Sequence, residues 1–287
     1  MELTNPAVIR ALMQKHGKQF AKSLGQNFLT DAQVLHTMVQ QSGIDDETDV
    51  LEIGPGIGVL TAQLCRQAHR VVTVELDEKL LPILADTLAE FSNVTVVQGD
   101  ILKTDVAALV QQHFGGGPVK VAANLPYYIT SPILMHLLAA RQCFSSITVM
   151  VQKEVAQRIA ASPGGKEYGV LSIAVQLYAD VHLLAEVPPD SFVPPPKVSS
   201  AVLRLDLLPQ LRVQADETLL FQVVKASFAQ RRKTLVNSLS AGMPRFSKDA
   251  IRAALAACGL AETVRAEQFS MELFAKLTNL LQNNELS

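Results

Sequence analysis

The chain has 287 residues, 48% hydrophobic and 18% charged, with no Trp and a formal net charge of −2. The length admits one large domain with an appendage or two modest ones. The composition buries a sizeable core, which excludes disordered, collagen-like and low-complexity architectures. Cys65, Cys143 and Cys258 cannot build a disulfide framework, no Cys/His cluster suggests zinc, and no stretch reads as a signal peptide or membrane span. A cytoplasmic protein with no metal and no membrane partner is expected.

Residues 1–30 form a basic N-terminal segment, with Arg10, Lys15, Lys18 and Lys22 against Glu2. Asp31 is placed to cap a helix over Ala32–Gln41. Short β-branched runs follow at Asp49–Ile53, Val71–Val74, Val94–Val97, Val119–Ala122 and Ile147–Val151. Segments of helical spacing separate them, such as Leu60, Leu64 and Ala68, or Leu80, Leu84 and Leu88. Apolar strands alternating with helices predict a parallel sheet covered on both faces. A helical stretch at Tyr168–Tyr178 precedes strands at Val181–Glu186 and Val198–Asp206, joined by a proline-rich turn. These two read as an antiparallel hairpin closing the sheet edge.

Pro209 marks a boundary, beyond which only helical patterns occur: Glu217–Ala229, Lys233–Leu239, Lys248–Ala257 and Ser270–Gln282. The expected architecture is a Rossmann-like α/β domain over 31–208 and a small all-α domain over 209–287. Charge follows this division. Residues 31–220 hold 12 Lys and Arg against 21 Asp and Glu, whereas 221–248 hold six basic residues and no acidic one. That basic stretch is either a footprint for phosphate or a solvated face. Its consecutive Arg231, Arg232 and Lys233 would fan over about 200° of a helix, so not all of them face one partner.

The first strand runs into Gly54-Pro55-Gly56-Ile57-Gly58. Glycines there permit a tight turn and a close approach of backbone to ligand. Glu75 ends the second strand, where an acid accepts hydrogen bonds from ribose hydroxyls of NAD or of S-adenosyl-L-methionine (SAM). Asp100 ends the third and is placed to accept from an adenine amine. The G-x-G-x-G spacing resembles the glycine turn of SAM-dependent methyltransferases rather than the dinucleotide fingerprint.

The fourth strand ends in Asn124-Leu125-Pro126-Tyr127, which resembles the N-L-P-Y motif of methyltransferases acting on exocyclic amines of bases. An adenine amine is a poor nucleophile because its lone pair is delocalised. Acceptors on its two N–H groups, the Asn124 side chain and the Leu125 carbonyl, favour the pyramidal form and offset the charge gained on attack. Pro126 fixes φ and adds no competing donor. Tyr127 offers a face to an extruded base.

Further motifs widen the resemblance. Lys22-Ser23-Leu24-Gly25-Gln26-Asn27-Phe28-Leu29, Phe192-Val193-Pro194-Pro195-Pro196-Lys197-Val198 and Gln230-Arg231-Arg232-Lys233-Thr234-Leu235 are similar to motifs of the KsgA/RsmA family of ribosomal RNA adenine dimethyltransferases. The resemblance spans roughly residues 22–240. It implies SAM-dependent dimethylation of two adjacent adenosines near the 3′ end of small-subunit (16S) rRNA; nothing in the sequence suggests an obligate dimer, and a monomer is expected. It also implies cofactor contacts at Asn27, Leu29, Gly54, Gly56, Glu75, Asp100 and Asn124, and base stacking by Phe192 opposite Tyr127, while the two basic segments make Lys22, Arg231, Arg232 and Lys233 the expected RNA contacts. The rival readings are a large-subunit, Erm-type methyltransferase, a non-catalytic ribosome-assembly factor and a dinucleotide oxidoreductase.

Overall fold

A computed structural model describes residues 1–18, 20 and 26–285, so Lys22 lies outside the described residues. The N-terminal segment holds a helix that the sequence reading left unassigned, α1 (Pro6–Lys15). Asn5 caps it by accepting from the Ala7 amide, and Pro6 occupies its first turn, where a missing N–H costs nothing. Ile9, Leu12 and Met13 of α1 are buried in the same core as Met38, Leu64 and Leu84. The segment is thus part of the folded body.

The rest of the sheet-forming chain runs β1 (Phe28–Leu29), α2 (Ala32–Gln41), β2 (Asp49–Ile53), α3 (Val59–Cys65), β3 (Arg70–Glu75), α4 (Leu81–Thr87), β4 (Val94–Gln98), α5 (Val106–Phe114), β5 (Val119–Asn124), α6 (Thr130–Ala139) and β6 (Phe144–Gln152). Asp31 caps α2 through the Gln33 and Val34 amides, as its position implies. After α7 (Lys153–Ile159) and α8 (Val170–Gln176) come β7 (Ala179–Val187), β8 (Phe192–Val193) and β9 (Ser200–Leu207).

Seven strands form one sheet in the order β4-β3-β2-β5-β6-β9-β7. The first five are parallel, and their apolar runs are covered from both faces. Strand β9 joins antiparallel to β6, from Ser146 opposite Asp206 to Gln152 opposite Ser200. The late pair therefore closes the edge with β9 inside and β7 outermost. A separate antiparallel pair, β1 with β8, sets Phe28 opposite Val193 and Leu29 opposite Phe192.

The chain divides into two units, Met1–Ala156 with Asp180–Leu207, and Gln157–Ala179 with Leu208–Ser287. The second contains α8, α9 (Glu217–Phe228), α10 (Leu235–Gly242), α11 (Lys248–Ala257) and α12 (Met271–Glu285). Its core holds Phe269 and Phe274 with ring centroids 5.0 Å apart. The division groups Gln157–Ala179 with the tail helices, whereas the sequence reading kept it with the sheet. Tyr168 carries that grouping: it is 2% exposed, and its ring meets the edge of Phe228 at 6.1 Å. No helix among the described residues is long and apolar enough to cross a membrane.

Candidate active site

The parallel strands end along one line, and the glycine turn opens there. Gly54, Gly56 and Gly58 have φ of 66°, 60° and 88°, a left-handed path that side chains disfavour. At Gly56 space is also closed, because a Cβ would lie 2.8 Å from Cε1 of Phe28. The turn and the β1 segment pack directly on one another.

Glu75 ends β3 and is 6% exposed. Its carboxylate accepts from the Asp77 amide at 2.7 Å and the Gly56 amide at 3.2 Å. Burial raises its pKa against the pull of those two hydrogen bonds. Two residues before the first glycine, Glu52 is 1% exposed, and its Oε2 has no hydrogen-bond partner among the described residues. Burial pushes the Glu52 carboxyl up to about 8, and the charge of Glu75 acts in the same direction. Glu52 is absent from the sequence-based site, and its one signal is an acid inside the otherwise apolar run Val50-Leu51-Glu52-Ile53.

Asp100, after β4, caps a 3-10 turn by accepting from the Leu102 amide at 3.0 Å, with the Lys103 ammonium 3.7 Å away. Both strand-end acids are followed by aliphatic residues that line the cavity, Leu76 and Ile101. Leu76 is 48% exposed. Together they offer two apolar faces to a flat ligand group.

At the end of β5 the ladder continues through the Leu125 amide, which donates to Met150 at 3.1 Å. The carbonyl of Pro126 then accepts from the Ile129 amide at 3.2 Å and the Thr130 hydroxyl at 3.1 Å. The Leu125 carbonyl accepts from no group among the described residues. Asn124 donates its amide N–H to the carbonyl of Asn27 at 3.4 Å, and its Oδ1 accepts no hydrogen bond among the described residues. Two unsatisfied acceptors thus sit side by side at this bend. Tyr127 is anchored by a 2.5 Å hydrogen bond between its hydroxyl and that of Ser200, and burial raises its pKa. Its neighbour Tyr128, also in the lining, is 53% exposed.

Asn27, Leu29, Gly54, Gly56, Glu75, Asp100, Asn124, Leu125, Pro126 and Tyr127 all line one cavity. Phe192 does not. Its pairing with Leu29 turns the ring into the core, where it is 2% exposed, so the expected stacking partner of Tyr127 is a hydrophobic plug in this structure.

The basic run also departs from expectation. Residues 231–233 form the turn between α9 and α10, not a helix, so no helical fan exists. Arg231 donates to the carbonyls of Lys166 and Tyr168, each at 2.8 Å, and its guanidinium stands 6.0 Å from the centre of the Phe228 ring. Those carbonyls belong to the same helical unit, so Arg231 secures that unit internally. Arg232 and Lys233 are exposed. No group of acidic, His or Cys side chains among the described residues could hold a metal ion.

Residues 17–283 match the family described as Ribosomal RNA adenine dimethylase. The chain is 49% identical to the Ribosomal RNA small subunit methyltransferase A of Lactiplantibacillus plantarum, over 100% of this chain and 98% of that relative. A crystal structure of a dimethyladenosine transferase from Plasmodium falciparum shares the fold with a TM-score of 0.75 at 26% identity, covering 90% of this chain and 98% of that one. The 23S rRNA methyltransferase ErmE gives a TM-score of 0.67 at 24% identity, over 89% of this chain and 100% of that one, a likeness of fold alone.

Proposed function

The chain belongs to the ribosomal RNA adenine dimethylase family, and on that premise we propose that it transfers methyl groups from SAM to the exocyclic N6 amines of two adjacent adenosines near the 3′ end of 16S rRNA. The observation that carries this reading is the bend after β5, where the Asn124 Oδ1 and the Leu125 carbonyl stand unsatisfied at the rim of an acid-lined cavity.

The cavity suits SAM by its donor set. SAM brings two cationic centres and ribose hydroxyls, and the cavity presents the unpartnered Glu52 oxygen and the Glu75 carboxyl. Asp100 would accept from the adenine amine, and Leu76 and Ile101 would offer apolar faces to its ring; all three line the cavity. Gly54 and Gly56 keep the turn free of side chains. Asn27 and Leu29 complete the wall beside Asn124. The bound cofactor supplies an electrophilic methyl group.

The protein's own part is positioning. Asn124 Oδ1 and the Leu125 carbonyl each accept one N–H of the target amine and hold its lone pair toward the methyl carbon. As the N–C bond forms, the methyl–sulfur bond of the donor would break and a neutral thioether leave, so positive charge passes to the amine, where the same two acceptors stabilise it. The amine then loses a proton to water, for which no strong base is required. Tyr127, held by its hydroxyl contact to Ser200, would present its ring to the extruded base. A second round on the monomethylated amine yields the dimethyl product.

A ribosomal substrate implies a cytoplasmic setting. The small-subunit target is favoured over a large-subunit one by the 49% identical relative, since ErmE shares only the fold. Incubating methyl-labelled SAM with small ribosomal subunits that lack the modification, then mapping the label, tests the assignment. Label on adjacent 3′-terminal-region adenosines is expected; label confined to large-subunit RNA overturns it.

A further inference from the structure

The sheet-bearing unit holds 13 Lys and Arg against 19 Asp and Glu, so its net field repels a polyanion. Six of the thirteen cations face a carboxylate. Lys15 meets Asp86, Arg66 meets Glu90, Arg70 meets Asp49, Lys103 meets Asp100, Lys153 meets Glu186 and Arg204 meets Asp206. Arg10, Lys18 and Lys197 behave differently. None of their side chains has a hydrogen-bond or ion-pair partner among the described residues, and all three line a single hollow.

That hollow is walled by α1 and the residues after it on one side and by Pro194–Lys197 on the other, and no acidic residue lines it among the described residues. It shares Gln26 and Asn27 with the cofactor cavity. Asn27 is also the residue whose carbonyl receives the Asn124 amide. Three unpaired cations from separate stretches of chain therefore converge beside the catalytic bend. The prolines stiffen the opposite wall, which limits the ordering needed on binding.

We propose that this hollow is the phosphate track of the enzyme: Arg10, Lys18 and Lys197 take the phosphodiester groups of the single-stranded RNA flanking the target adenosine. The inference rests on the rRNA substrate proposed above and adds where an acidic catalytic unit grips that polymer. Backbone grip next to the cavity steers the chain without reading sequence, leaving base choice to the cavity itself.

The test is the variant Arg10→Ala/Lys18→Ala/Lys197→Ala, compared with wild type. Calorimetry with SAM comes first, and unchanged affinity is expected because none of the three lines the cofactor cavity. Binding to unmodified small subunits and to a protein-free RNA of the 16S 3′ region is then measured across a salt series. The salt slope should fall by about 2, at roughly 0.7 per single-strand phosphate contact, with affinity lower by tens of fold near physiological salt. The charge-preserving variant Arg10→Lys/Lys18→Arg/Lys197→Arg should retain most of the slope. An unchanged slope in a triple-alanine protein that still binds SAM overturns the track. So does weakened binding to subunits with unchanged binding to the free RNA, which would assign the hollow to a ribosomal protein. Failure of wild-type protein to bind or methylate either RNA would instead overturn the substrate reading.

Discussion

The side-chain amide of Asn124 donates to the backbone carbonyl of Asn27 at 3.4 Å, across 97 residues of sequence. This bond takes up one end of the amide and so determines which end remains: the nitrogen faces Asn27, and the oxygen stays available as an acceptor. The β1 segment therefore orients a side chain on β5.

Replacing Asn124 by Ala removes one of the two acceptors for the target amine. Single-turnover methyl transfer at saturating SAM should fall about 100–1000-fold, by analogy with loss of one preorganised charge-stabilising contact. Asn124 also lines the cofactor cavity, so SAM affinity is measured separately by calorimetry. A wild-type rate at saturation would take Asn124 out of the chemical step.

Glu75→Ala should weaken SAM binding about 10–100-fold, the effect of losing a charge-assisted contact worth about 1.5–3 kcal/mol. The carboxylate also receives the Gly56 amide, so the glycine turn loses a tether in the same variant. Glu75→Gln separates these effects because it keeps an acceptor oxygen and loses the charge. Calorimetric affinity equal to wild type in both variants would show that Glu75 has no part in holding the cofactor.

Glu52 gives the stability of the protein a pH dependence of known sign. Its folded-state pKa of about 8 lies above the ordinary 4.5, so the folded state prefers the neutral acid. The contribution is fully present below pH 4.5 and is lost as pH rises toward 8, amounting to at most about 5 kcal/mol. Glu52→Gln stays neutral throughout and lacks this slope. Urea unfolding of both proteins between pH 5 and 8 should show wild type losing stability relative to the variant. Parallel pH profiles would mean that Glu52 ionises without penalty.

Arg231 and Arg232 are neighbours with opposite expectations. Arg231→Ala leaves the Lys166 and Tyr168 carbonyls without their donor and should cost about 0.5–1.5 kcal/mol of stability, although Arg231 is itself an exposed residue. Arg232→Ala alters an exposed side chain, so stability should stay within about 0.5 kcal/mol. If Arg232 contacts phosphate, its loss lowers the salt slope of RNA binding by roughly one counterion. Denaturation midpoints and the salt series together decide, and equal destabilisation by both variants would contradict the division of labour.

Much of this protein is legible in local sequence because the signals are short-range. Asp31 caps the helix after it, the β-branched runs become β2 to β6, and the glycine turn sits between β2 and α3. Each depends on backbone preferences and on side chains within a few positions. Helix α1 was legible as well, through Asn5 and Pro6, but basic residues amid its apolar positions made it read as a charged tail. The strand ends bearing Glu75, Asp100 and Asn124 follow from the same local reading, since parallel strands joined by helices gather their C-terminal ends on one side.

Other features exist only once distant segments meet. The pairing of Leu29 with Phe192 turns an aromatic ring expected at the cavity into the core. Arg231 acquires its carbonyl partners because residues 166–168 pack with the tail helices, and nothing in the sequence around 231 specifies that packing. Glu52 departs from ordinary acidity because folding buries it and sets Glu75 nearby, against the opposing influence of Thr61 and Thr73, a consequence of burial rather than of residue type. Arg10, Lys18 and Lys197 become one charged hollow through the packing of α1 against a loop far along the chain. Sequence determined the elements, the order of the strand-end acids and the amine-binding motif, because local chemistry suffices for these. Tertiary structure alone decided which of those side chains are buried, paired or free, because burial and pairing depend on partners that local preferences cannot choose.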